Sequence, residues 1–105
     1  MKITSVLLAA LLATSAHADF KNGNDILNNI NNDNYYNKGH SMGYIMGLLD
    51  AYSNIFICPP SELTGGQAQD IVKNYLVQNP ATRHQGASGL VYSALVEFFP
   101  CKKTK

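Results

Sequence analysis

The chain has 105 residues, with eight Lys plus Arg against seven Asp plus Glu, and a formal net charge of +1. That balance supplies no basic footprint for nucleic acid and no polybasic patch for an anionic bilayer. A chain this short makes one small domain with a modest core, and it carries two cysteines that can staple it.

Met1-Lys2 is a short positive start, Ile3–Ala13 is an apolar and small-residue run, and Thr14–Ala18 ends in Ala-His-Ala. This order predicts a secretory signal peptide over 1–18, cleaved after Ala18, and a single mature domain over 19–105. An apolar run of about a dozen residues falls short of the roughly 20 that a membrane-spanning helix needs. No cysteine follows the cleavage site to carry a lipid. Cleavage removes Lys2 and leaves seven basic against seven acidic residues, so the mature domain is neutral. Only the tail, Lys102-Lys103-Thr104-Lys105, is basic.

The first stretch of the mature domain is rich in asparagine: Asn22, Asn24, Asn28, Asn29, Asn31, Asn32, Asn34 and Asn37. Asparagine favours caps and turns over helix interiors. Ile26, Leu27 and Ile30 still form a short apolar stripe, which predicts a weak helix near Asn24–Asn31 and then a loop to Gly39. Met42, Ile45, Met46, Leu49, Tyr52, Ser53 and Phe56 recur at steps of three and four, predicting a helix from about His40 to Ile57. Cys58-Pro59-Pro60 ends it, because proline cannot continue a helix. A second pattern overlies this helix. Gly39, Gly43, Gly47 and Ala51 form a small-residue stripe, although each interior glycine costs about 1 kcal/mol against alanine. Such a stripe implies close approach of a backbone, from another helix of the domain or from a second copy across a homodimer seam. Asp50 and the polar flanks exclude a membrane dimer motif.

Thr64 and Gln67 have the spacing of a capping box, and Ala68, Ile71, Val72, Tyr75 and Leu76 follow as the buried face of a third helix. Asn79-Pro80 ends that helix and reads as the start of the last one. Ala87, Leu90, Val91, Ala94, Leu95 and Phe98 give its inward face, and it delivers the chain to Cys101. No segment alternates with period two. The fold is all-α: a small bundle of about four helices stapled by one disulfide.

In an exported protein, Cys58 and Cys101 read as that disulfide, the alternative being two buried thiols. Closing a loop of about 44 residues contributes roughly 4 kcal/mol by chain entropy.

No catalytic set is evident. Cys58 with His40 or His84 would be the only nucleophile–base pair, and a disulfide leaves no thiolate. His40, His84 and Asp50 lack metal-ligand spacing. Glu62 and Glu97, the only glutamates, are not paired for acid–base work, and no cofactor motif is present. Gly65-Gly66 resembles an anion site at a helix start, but without a lysine or the remainder of a phosphate loop, helix entry explains it. Six tyrosines without a tryptophan suit a binding module.

Gly43–Ala51, Cys58-Pro59, Thr64–Gln67, Tyr75-Leu76, Asn79–His84, Ala87, Leu90-Val91, Ala94-Leu95 and Phe99–Cys101 occur in an order and spacing that resemble the Rap/Tai family of type VI secretion amidase immunity proteins. The resemblance covers about Gly23 to Cys101. It implies a small, helical, periplasmic protein that binds and blocks a secreted peptidoglycan amidase and performs no catalysis. It also implies that some members are homodimers that push a loop into the amidase's active cleft. Many members carry two further cysteines, in the first helix and just before the Gly-Tyr pair. Here those regions read Leu27–Ile30 and His40–Met42, so the first helix is expected to be held more loosely.

Three exposed segments are candidate effector contacts. The loop Pro59-Pro60-Ser61-Glu62 is stiffened by prolines and loses little entropy on binding. The others are Tyr35-Tyr36 and the turn at Arg83-His84. A different reading, a small periplasmic chaperone of the acid-stress type, needs carboxylates whose protonation opens the fold, and this chain has few.

Overall fold

The computed structural model describes residues 20–102. The expected signal peptide with its cleavage at Ala18, and the end of the basic tail, lie outside the described residues. Among the described residues four helices make the fold: α1 (Gly23–Ile30), α2 (Tyr35–Tyr52), α3 (Gly65–Gln78) and α4 (Ala87–Phe98), with a 3-10 turn at Pro80–Thr82. Each α-helix packs against the other three. Ile26, Ile45, Val72, Leu76, Val91 and Leu95 meet in the centre, fully shielded from water. Each such side chain contributes about 1.5–3 kcal/mol by burial.

The expected weak helix is α1, and a reciprocal cap and backbone bonds hold its start. Asn22 Oδ1 accepts from the Asp25 N–H at 2.9 Å, and Asp25 Oδ2 accepts from the Asn22 N–H at 3.0 Å, a reciprocal cap. The Gly23 N–H donates to the Gln85 carbonyl at 3.1 Å, the Asn24 N–H to the Arg83 carbonyl at 3.0 Å, and the Ala87 N–H to the Lys21 carbonyl at 2.9 Å. These bonds tie 21–24 to 83–87 without any cysteine. Gly23 is required there: a Cβ would lie 2.6 Å from the Arg83 carbonyl oxygen and 2.6 Å from Leu90 Cδ1. The leucine can yield, whereas the carbonyl is part of the junction. Gly23→Ala should therefore destabilise the domain by about 1–3 kcal/mol. A urea titration measures this, and a variant as stable as the parent would show that the junction tolerates a methyl group.

α2 departs from expectation at both ends. It begins at Tyr35, because Asn34 Oδ1 accepts the Tyr36 N–H at 2.7 Å and so caps the helix. Tyr35 and Tyr36 are its first turn and not part of a loop. It ends at Tyr52, five residues before the expected stop. Ser53 leaves the helical region, and Asn54 turns left-handed at φ 63°, a conformation asparagine tolerates. The N–H groups of Ile55, Phe56 and Ile57 all point at the Tyr52 carbonyl, at 3.1 Å each. This reversal buries Ile57 and lets the Cys58 N–H donate to the Phe99 carbonyl at 2.9 Å. Cys58 and Cys101 then lie 4.9 Å apart at Cα and form the disulfide.

α3 starts as expected, with Thr64 Oγ1 accepting from the Gln67 N–H at 3.1 Å and Gln67 Oε1 accepting from the Thr64 N–H at 2.9 Å. The last helix does not start at Pro80. Residues 83–85 form a turn and a bend, Arg83 itself lying in the helical region, Gly86 bridges Asn22, and helix resumes only at Ala87. Phe98 is also a correction: expected inward, it is 62% exposed, while Phe99 packs against the core.

Candidate functional site

The disulfide and the reversal after α2 build one rigid corner of the molecule. Ile57 is its buried anchor, bridged to Pro100. Ile55 and Phe56 stand outward from it, 62% and 53% exposed. The Phe56 ring lies 6.0 Å from Tyr52 and 6.4 Å from Tyr92, and Tyr52 meets Tyr92 edge-on at 5.3 Å. The three rings and Leu48 border a shallow groove that Ser88 and Gly89 of α4 complete. On the other side of the same corner, Ser53 and Asn54 share a groove with Met46, Pro59, Pro60 and Ser61. An apolar turn held by its own backbone and a disulfide loses little freedom when a partner covers it.

The sequence candidates fall in separate places. Pro59, Pro60, Ser61 and Glu62 follow the reversal directly, and all but Pro59 are well exposed. Tyr35 and Tyr36 sit at the start of α2, 92% and 77% exposed, with the Tyr36 ring 6.3 Å from His40. His84 is exposed. Arg83 is turned inward: its Nη1 donates to the Leu76 carbonyl at 3.4 Å, and its Nε is buried without a hydrogen-bond partner among the described residues. A cation at the last carbonyls of α3 is favoured by the helix dipole, so Arg83 locks the turn onto that helix. Ile55 and Phe56 were missed as surface residues, as was the half-buried Tyr92 as their neighbour. The Ser53-Asn54 pair inside the periodic run was the available signal, since both residue types favour turns.

The small-residue stripe also has a clear position. Gly39, Gly43, Gly47 and Ala51 are all exposed along the outer side of α2, and a Cβ at any of the three glycines would meet nothing within 4 Å. No helix of this chain lies against them among the described residues.

No curated protein matches the chain. The family model of the Rap1a immunity proteins matches residues 12–101. The chain belongs to the Rap1a immunity protein family. Membership implies immunity against secreted effectors, exerted by binding an effector protein and not by catalysis, and a periplasmic location. Both cysteines of this Rap1a-family chain are consumed in the disulfide, so Cys58 offers no thiolate. What the chain presents instead is contact surface: an apolar corner, a smooth glycine-lined helix and a proline-rich loop.

Proposed function

We propose that this protein is exported to the periplasm, where it binds a type VI secreted peptidoglycan amidase and occludes its active site. The observation that carries this reading is the clamped corner: Ile55 and Phe56 project from a turn whose backbone bonds and disulfide fix it before any partner arrives. Tyr52, Tyr92 and the loop Pro59–Glu62 flank it and would form the remainder of the contact. Aromatic side chains in preorganised settings are the usual anchors of protein interfaces. Capture by the oxidised mature chain, residues 19–105, from the secreted proteins of its own strain and close relatives tests the reading. One amidase retained in stoichiometric amount supports it, and capture of none rejects it.

The outer side of α2 supports a second element of this proposal, a homodimer. Three interior glycines at which an added Cβ would meet nothing within 4 Å among the described residues lower helix stability without return unless a second backbone approaches them. Gly43→Ala with Gly47→Ala separates the cases. In a monomer each substitution should stabilise the helix by about 1 kcal/mol. In a dimer packed through the stripe, sedimentation should show the paired species lost while the separated chain melts higher. An unchanged sedimentation coefficient at all concentrations would remove the dimer.

A further inference from the structure

We infer that a second surface, the trough between α3 and α4, takes a basic segment of the bound effector, an inference that rests on the immunity reading. Two grooves share Asp70, Ile71 and Phe98 and so run as one trough from the loop Pro60–Leu63 to the end of α3 at Gln78. Its floor is apolar, with Leu63, Ile71, Tyr75 and Phe99 half-buried and the Phe98 ring standing largely in solvent. Its rim carries Glu62, Asp70 and Glu97, all exposed. Neither groove is lined by a lysine or arginine, and none of the three carboxylates is ion-paired with a described residue.

This concentration of charge is out of keeping with the neutral mature chain. Both glutamates of the whole sequence lie on this rim. Three carboxylates without an ion-pair partner among the described residues, set around an apolar floor, repel phosphate and anionic lipid. They attract a chain that places lysine or arginine on either side of an apolar side chain. The trough is open along its length, so an extended segment can lie in it with the apolar residue against Phe98 and the cations at Asp70 and Glu97.

The test uses the protein alone. A capped five-residue peptide alternating lysine with leucine is titrated at low salt and followed by amide chemical shifts. The control has glutamate in place of lysine. The inference predicts saturable shifts at Leu63, Ile71 and Phe98 with the basic peptide only. It predicts affinity roughly tenfold weaker in the variant Glu62→Gln, Asp70→Asn, Glu97→Gln, and loss of the difference at high salt. Equal binding of both peptides, shifts scattered over the surface, or an unaffected variant would each overturn it. The effector supplies the second arm. If the triple variant captures the amidase as tightly as the parent, the trough is not used and the immunity reading stands. If the basic peptide binds in the trough and no effector is captured, the trough stands as a site for basic segments and the immunity reading fails.

Discussion

Replacing Cys58 and Cys101 together by serine should lower the stability of the domain by about 4 kcal/mol, the chain entropy released when a loop of this length is opened. Typical domains have about 5–15 kcal/mol in all, so the variant should be partly unfolded at physiological temperature or close to it. The double substitution is preferred to reduction alone because it leaves no thiol to form a wrong bond. The effect has a local side as well. Cys58 follows the buried Ile57 and its N–H donates to the Phe99 carbonyl, so the bond to Cys101 closes the corner that carries Ile55 and Phe56. Hydrogen exchange in the variant should therefore be fastest across Ser53–Cys58 and the end of α4, beyond the loss common to the whole domain. Urea titration of the oxidised parent against the variant reads the global term. A difference under about 1 kcal/mol would mean that helix packing alone holds the domain and that the staple is incidental.

The second large effect concerns binding and should cost stability only about 1–3 kcal/mol, for the ring contacts of Phe56 with Tyr52 and Tyr92. Ile55→Asp with Phe56→Asp places two charges on a turn whose bonds are made by backbone, with the Tyr52 carbonyl as acceptor. Both side chains are more than half exposed, so little core contact is lost. Anchor residues at the centre of an interface contribute about 2–4 kcal/mol each when truncated. Affinity for the effector should thus fall at least roughly a hundredfold. The companion change Tyr35→Ala with Tyr36→Ala, at the start of α2 and away from the corner, tests the alternative contact. If it is the tyrosine pair that abolishes binding and the aspartates do not, the contact lies at the start of α2. Cooperative melting of both variants well above the temperature of the binding assay would establish that folding is not the cause.

Local chemistry was readable wherever it decided the structure locally. The Thr64–Gln67 cap, the buried face Ala68–Leu76 and the inward residues Ala87 to Leu95 follow from spacing, and the pairing of the two cysteines follows from reading the chain as exported. What sequence missed was set by distant contacts. The segment 83–86 looked like helix because Asn79-Pro80 is a helix start, but its backbone is taken up by bonding to 21–24 across the molecule. The end of α2 looked continuous because Phe56 keeps the helical period. The chain leaves the helix there because Ile57 and Cys58 are drawn to Pro100, Phe99 and Cys101. The start of α2 was hidden by the abundance of asparagine: among eight of them, nothing local marks Asn34 as the cap. The site suffered most from these misses. A helix ending at Ile57 would have buried Phe56, and the exposed corner exists only because the helix stops early.

Inhibition of a peptidoglycan amidase decides the matter most directly. The oxidised mature chain, residues 19–105, is titrated into each amidase that its own strain and close relatives secrete, with hydrolysis of purified cell wall as the readout. Activity of one enzyme falling linearly to zero at a fixed stoichiometry, and restored with the Ile55→Asp, Phe56→Asp variant, is the expected result. Full activity of every such amidase at a large excess of the protein would contradict the account.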